Sequence, residues 1–78
     1  MLNRVPHGQA PDKLLSTLSS REVEVLEMVS LGLTNAQLAE RLAVTVHAVK
    51  FHLASIYHKL GVANRTEAAA LYLRQTGT

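Results

Sequence analysis

The sequence predicts an all-α fold, a bundle of four helices. Pairs in which a Ser, Thr or Asn is followed three residues later by Glu or Gln recur along the chain, and such pairs are typical of helix starts. Apolar residues repeat at steps of three and four, and no stretch alternates apolar and polar residues as an amphipathic strand does. With 78 residues, the chain has room for one hydrophobic core and therefore for one domain.

The first predicted helix runs from about Ser20 to Leu31. Before it, the Ser19 hydroxyl can accept a hydrogen bond from the Glu22 amide, while the Glu22 carboxylate accepts one from the Ser19 amide. Gly32 ends this helix because glycine takes the left-handed conformation at little cost. The residues expected on the buried stripe are Val23, Leu26 and Val29.

The second predicted helix is short and opens on the pair Thr34 and Gln37. It ends near Leu42, and a tight turn at Ala43 and Val44 leads into the next helix. The residues expected to face inward are Leu38, Ala39 and Leu42.

The third predicted helix covers residues from about 46 to 60, with Thr45 as its N-cap and Gly61 at its end. Its apolar residues are spaced by four, three and four positions, which places them on one helical face. These core candidates are Val49, Leu53, Ile56 and Leu60.

The two ends of the chain are predicted to differ. A fourth helix starts at the pair Asn64 and Glu67 and runs to about Arg74. Residues 1–15 contain both prolines and no apolar periodicity, so we expect a flexible arm or linker remnant before a domain at residues 16–78. The residues of the fourth helix expected to face inward are Ala68, Leu71 and Tyr72.

Composition and spacing argue against several classes of protein. With no cysteine, disulfides and thiolate metal sites are unavailable, and we expect a cytoplasmic protein. No apolar stretch reaches the roughly 18 residues of a membrane helix, so no membrane partner is expected. The spacings between the histidines of the third helix, five and six residues, do not suit a metal site. Without a glycine-rich phosphate loop or a nucleophile paired with a base, we expect neither an enzyme nor a cofactor.

Charge is distributed unevenly, although the formal net charge is only +2. From residue 41 to residue 66 there are four Lys or Arg residues, three His and no Asp or Glu. Such one-sided charge suits a polyanion such as nucleic acid. The alternative is a chance gap in acids on a solvated face.

The second and third helices, joined by a short turn, have the size and spacing of a helix-turn-helix, whose second helix enters the DNA major groove. Phe51 lies about 200° around the third helix from Val49 and Leu53, so it faces outward instead of serving as a core aromatic. Lys50 can donate to a guanine edge or a phosphate, Phe51 can contact a thymine methyl, and Ala54 is small enough to allow close approach. The residues predicted to contact bases are Lys50, Phe51, Ala54 and His47.

Short motifs at fixed offsets extend from Leu18 to Leu73, nearly the whole of the predicted helical region. They are Leu18-Ser19, Arg21-Glu22, Glu24-Val25-Leu26, Gly32-Leu33-Thr34-Asn35, Leu38-Ala39, Val49-Lys50-Phe51-His52, Lys59-Leu60-Gly61-Val62 and Asn64-Arg65-Thr66-Glu67-Ala68. Together they resemble the LuxR/NarL/FixJ type of helix-turn-helix, the C-terminal effector domain of bacterial response regulators and quorum-sensing regulators.

The resemblance implies a four-helix domain that regulates transcription and binds promoter DNA as a dimer on an inverted repeat. A promoter-bound domain of this kind would recruit or block RNA polymerase. The fourth helix is the usual dimer contact in the family, represented here by Ala69, Tyr72 and Leu73. The candidates for contacts with the DNA backbone are Thr34, Asn35, Thr45, Lys59 and Arg65, together with His58 on the outer face of the third helix.

Two residues depart from the family pattern. Ala48 stands where a hydroxyl residue is usual, and Ala36 where a basic residue is common, so we expect fewer phosphate contacts and weaker binding. Both departures also support a rival hypothesis, an interaction module that has lost DNA binding and uses Phe51 and the fourth helix to bind proteins. Such domains generally follow a receiver or ligand-binding domain. Two alternatives stay open: residues 1–15 are the remnant of a linker from a longer protein of this kind, or the chain is a stand-alone regulator.

Overall fold

The computed structural model describes residues 15–77, which are helical and contain no strand. The helices are α1 (Ser20–Ser30), α2 (Asn35–Leu42), α3 (Val46–Leu60) and α4 (Arg65–Gln75). The predicted all-α, four-helix fold is therefore confirmed. Of the arm predicted at residues 1–15, all but residue 15 lies outside the described residues.

Each helix begins at the N-cap that the sequence predicts. Ser19 Oγ accepts from the Glu22 amide at 3.1 Å, and Glu22 Oε1 accepts from the Ser19 amide at 2.9 Å. Thr34 and Gln37 form the same reciprocal pair at 3.1 and 2.8 Å. At the start of α3, Thr45 Oγ1 accepts from the amide three residues on at 3.0 Å. These side chains pair N–H groups that the first turn of a helix leaves without a backbone partner.

The cap of α4 differs from the predicted reciprocal pair. Asn64 Oδ1 accepts from the Glu67 amide at 2.9 Å, as expected. The Glu67 carboxylate, however, accepts from the amide of Ala63 at 2.7 Å instead of returning to Asn64. The carboxylate therefore fixes the approach of the chain one residue before the cap.

Glycine follows α1 and α3, as predicted, whereas α2 ends at an alanine. Gly32 and Gly61 have φ angles of +90° and +71°, the left-handed region that glycine occupies without strain. Ala43 ends α2 in the same region, with φ +57° and ψ +44°. The sequence predicts a turn at this position but not a left-handed alanine, because no glycine or asparagine marks it.

The core lies between α3 and its neighbours. α3 contacts α1, α2 and α4, and α1 also packs against α4. Every inward residue predicted for α2 and α3 is buried. On α1 the buried face is shifted, because this helix faces both α3 and α4. Val25 is buried, whereas Val23, predicted on the buried stripe, is half-buried and packs against the core. On α4, Tyr72 is likewise half-buried. The buried apolar residues are Leu18, Val25, Leu26, Val29, Leu38, Ala39, Leu42, Val49, Leu53, Ile56, Leu60, Ala68 and Leu71.

Candidate nucleic-acid interface

The outer face of α3 is set by the residues that the same helix buries. Val49 and Ile56 are fully buried against the neighbouring helices. One turn of helix holds about 3.6 residues, so the side chains opposite these two must point away from the bundle. The predicted base-contacting residues, His47, Lys50, Phe51 and Ala54, are all exposed, and so is His58.

Phe51 is the most exposed large apolar residue of this face, at 72% of its maximum. The prediction that Phe51 faces outward is therefore confirmed, and the alternative of a buried core aromatic is excluded. Its ring makes an edge contact with His52, with centroids 6.4 Å apart and planes inclined by 68°. Single exposed apolar side chains are common on protein surfaces, as Leu31 at 71% shows, so the case for a binding surface rests on the place of Phe51 beside Lys50 and Ala54.

The connection between α2 and α3 fixes the angle at which α3 is presented. It comprises Ala43, Val44 and the cap Thr45. The Val44 amide donates to the Ala39 carbonyl at 3.0 Å, so the left-handed Ala43 closes the end of α2. Because α2 packs on α3 immediately after this turn, the two helices form a helix-turn-helix.

Lys59, a candidate for contact with the DNA backbone, is paired with Glu22 of α1. Its Nζ donates to both carboxylate oxygens of Glu22, at 2.9 and 3.0 Å, and Ser55 Oγ lies 3.4 Å from Glu22 Oε2. The Glu22 side chain is 12% exposed and that of Lys59 is 40% exposed. The hydrogen bond from Lys59, followed by that from the Ser19 amide, holds the pKa of Glu22 below its ordinary value.

Arg65 and Asn35, two further candidates for backbone contact, are brought together by the fold. Arg65 Nη1 donates to the Leu33 carbonyl at 2.7 Å, and Nη2 donates to Asn35 Oδ1 at 2.5 Å. Both side chains are half-buried. The guanidinium thus ties the start of α4 to the start of α2, and its contact with DNA stays a prediction.

The remaining candidates differ in how much of their surface is free. Thr34 and Thr45 are exposed, and each hydroxyl accepts a capping hydrogen bond that leaves its own O–H available to donate. On α4, Leu73 is 47% exposed, while Ala69 and Tyr72 are half-buried against the core of their own chain. The predicted dimer surface is therefore partly used within the domain.

Sequence reasoning missed two polar links between helices that engage candidate site residues. Glu22 and Lys59 are 37 residues apart, and Arg65 and Asn35 are 30 apart. Side chains so distant in sequence carry no local signal of pairing. Among residues 15–77, no group of three or more His, Asp or Glu side chains could hold a metal ion, and no helix is long and apolar enough to cross a membrane.

Comparison of the sequence with known protein families agrees with the helix-turn-helix geometry of α2 and α3. Residues 16–72 match the family described as bacterial regulatory proteins, luxR family. This chain belongs to the LuxR family. It is a LuxR-type helix-turn-helix DNA-binding domain of a transcription regulator, a family of regulators and not of enzymes.

Relatives of this LuxR-family chain are longer proteins. It is 42% identical over 66 residues to the transcriptional regulatory protein LnrK of Bacillus subtilis, covering 85% of this chain and 30% of LnrK. It is 36% identical over 69 residues to the transcriptional regulatory protein LiaR of the same organism, covering 88% of this chain and 33% of LiaR. Against the HTH-type transcriptional regulator MalT of Serratia proteamaculans it is 43% identical over 63 residues, covering 80% of this chain and 7% of MalT. The chain thus spans a third or less of each of these relatives.

Proposed function

We propose that this LuxR-family domain binds promoter DNA as a homodimer on an inverted repeat, with α3 of each copy in the major groove. The observation that carries the proposal is the outer face of α3, which is exposed, contains no acid and presents one lysine and two histidines. The major groove is wide enough to admit an α-helix, and every base pair offers hydrogen-bonding groups there.

Lys50 is the principal base reader in this proposal. Its ammonium group has three donors and no acceptor, which suits the O6 and N7 atoms of guanine. No hydrogen bond or ion pair within the described residues engages its side chain. His47 lies one turn earlier on the same exposed face, and Ala54 one turn later leaves space for the bases.

The contacts with the phosphate backbone are divided between free and engaged side chains. The hydroxyls of Thr34 and Thr45 and the ring of His58 are exposed and can donate to phosphates. Lys59 already pairs with Glu22, so we assign it the role of holding α3 in place rather than that of a phosphate ligand. Each phosphate that a cationic side chain neutralises should lower log affinity by about 0.9 for each unit of log salt, whereas contacts from the neutral hydroxyls should add little to that slope.

Dimerisation through α4 is the second part of the proposal. Its outer side carries the exposed Leu73 beside the half-buried Ala69 and Tyr72, an apolar strip that a second copy could cover. A two-fold dimer places two identical α3 helices on two half-sites of an inverted repeat. Bound in this way at a promoter, the protein would recruit or block RNA polymerase.

Selection of bound sites from a random duplex pool tests the proposal. The affinity of the purified chain for the selected site is then measured by fluorescence anisotropy, beside Lys50→Ala and the matched control Arg74→Ala, which removes one positive charge from α4 instead. We expect Lys50→Ala alone to lose sequence preference. If Lys50→Ala kept both affinity and preference, the assignment of α3 to the groove would be wrong. A selected site without inverted symmetry would contradict the dimer.

The rival function is a protein-interaction module without DNA binding, and an NMR titration of the same purified chain distinguishes it from the proposal. In an NMR titration with duplex DNA, the proposal predicts chemical-shift changes at the α3 residues around Lys50. Changes confined to α4, with none around Lys50, would favour the interaction module.

A further inference from the structure

Phe51 lies on the proposed DNA-binding face, but its side chain cannot form hydrogen bonds with bases. Its benzyl group has no donor or acceptor, yet 72% of its surface is held out of the core, on the face that the proposed function directs at DNA. Burying a phenyl ring against polar base edges would gain little, because those edges would lose water without finding a partner. The natural partner is therefore an apolar group within the major groove.

The major groove offers one such group, the 5-methyl of a pyrimidine. We propose that Phe51 selects a base pair by packing against that methyl group, and that it accepts thymine and 5-methylcytosine alike. The inference rests on the proposed entry of α3 into the major groove. It goes further by assigning this domain a sensitivity to the methylation of cytosine at one position of its site.

The neighbours of Phe51 support a defined contact. The ring of His52, itself half-buried on the flank of α3, lies edge-on to that of Phe51, with centroids 6.4 Å apart and planes inclined by 68°, a favourable arrangement for an aromatic pair. Ala54 lies one turn on along the same exposed face and has no side chain beyond its methyl group. The helix can therefore approach the bases closely enough for the phenyl ring to touch a methyl group.

The position of the selected pyrimidine follows from helix geometry. Lys50 and Phe51 are neighbours in sequence, so their Cα atoms differ by about 1.5 Å along the helix axis and by about 100° around it. Base pairs are stacked about 3.4 Å apart along each strand. The methyl group that Phe51 contacts should accordingly belong to a base pair next to, or one step beyond, the one that Lys50 reads.

Methyl scanning of the selected duplex tests the inference. Each thymine is replaced singly by deoxyuridine, which removes one methyl group and leaves every hydrogen-bonding group in place. At one position of a half-site we expect a loss of affinity of about fourfold, the factor that corresponds to burial of one methyl group. At that position a C·G pair should bind about fourfold more tightly when the cytosine carries a 5-methyl group.

The variant Phe51→Ala supplies the decisive comparison. Both methyl effects should fall to a ratio of about one in Phe51→Ala and persist in Phe51→Leu, which keeps an apolar side chain. Because Phe51 is exposed, both variants should melt at the wild-type temperature, which circular dichroism checks. Methyl effects that were absent from the wild type, or equal in Phe51→Ala, would overturn the inference and leave the role of Lys50 standing. Failure to bind any duplex would instead overturn the proposed function and this inference with it.

Discussion

Lys59, near the end of α3, donates to both carboxylate oxygens of Glu22, in the first turn of α1, at 2.9 and 3.0 Å. The same carboxylate accepts the amide of Ser19 at 2.9 Å and so completes the cap of α1. One side chain thus closes a helix start and anchors the proposed recognition helix. The Glu22 carboxylate therefore links the start of α1 to the last turns of α3.

The charge of Glu22 should make the stability of the domain depend on pH. The pKa of Glu22 is lower in the folded protein than its ordinary value of 4.5, so its contribution is complete above that value and is lost as the pH falls through the lowered pKa. Glu22→Gln keeps a carbonyl that can accept from Ser19 but removes the charge. We expect it to cost about 1–2 kcal/mol of unfolding free energy at pH 7.

Urea denaturation at several pH values measures this effect. The difference between the wild type and Glu22→Gln should be constant near neutrality and shrink towards zero as the pH falls below 4.5. Glu24→Gln is the matched control, because Glu24 pairs with Arg21 at 3.4 Å with both side chains more than half exposed, where ion pairs contribute little. An equal loss in both variants, or a pH-independent difference, would show that the Lys59 pair does not stabilise the fold.

The two lysines of α3 should have opposite effects when they are replaced. Lys50→Met removes an exposed side chain, so we expect unfolding free energy to change by no more than about 0.5 kcal/mol while affinity for the selected site falls by about 1–3 kcal/mol. Lys59→Met leaves Glu22 without its partner and should lower stability by about 1–2 kcal/mol. Its DNA complex should keep the salt dependence of the wild type. A slope reduced by about 0.9 in Lys59→Met would instead identify Lys59 as a phosphate ligand.

Local features explain why so much of the fold can be predicted from sequence. An N-cap and its partner lie three residues apart, and a buried stripe repeats within two turns, so both can be identified in a short window. Thr34, Thr45 and the apolar residues of α3 are examples, and the exposure of Phe51 follows from its angle to that stripe. The exposed half of the candidate site could be predicted for the same reason.

Contacts between distant segments are what the sequence did not predict. Lys59 and Arg65 both have the charge and position of phosphate ligands, and only the fold brings them to Glu22 and Asn35. The burial of Val25 has the same origin, since α1 packs against two helices and a single periodic stripe does not describe its buried face. Each case depends on tertiary packing, which periodicity within one helix does not contain.

Thr45 offers a way to separate helix capping from phosphate contact. Its hydroxyl caps α3 by accepting from the Ala48 amide at 3.0 Å, and it is also a candidate to donate to DNA. Thr45→Asp preserves the cap, because aspartate is an equally good N-cap residue, but it places a negative charge beside the phosphates. We expect thermal stability to be unchanged or raised and DNA affinity to fall at least tenfold, a loss of about 1.4 kcal/mol.

Thr45→Ala is the companion to that variant. It should lower stability by about 1 kcal/mol through loss of the cap and reduce affinity less than Thr45→Asp does. Melting curves and anisotropy titrations at one salt concentration measure both quantities. If Thr45→Asp bound DNA as tightly as the wild type, the start of α3 would not approach the phosphate backbone.

Ala43 is a position where the domain can be stabilised without touching the proposed interface. Its left-handed φ of +57° costs an alanine about 1–2 kcal/mol, because Cβ approaches the following carbonyl oxygen. Glycine avoids this cost but loses more chain entropy on folding, about 0.4–1 kcal/mol. Ala43→Gly should therefore raise the unfolding free energy by about 0.5–1 kcal/mol.

Ala70→Gly, in an exposed position within α4, is the control and should lower the unfolding free energy by about 1 kcal/mol. Because the same substitution is expected to act with opposite sign at the two alanines, a decrease in both variants, measured by urea denaturation, would contradict a strained left-handed alanine between α2 and α3.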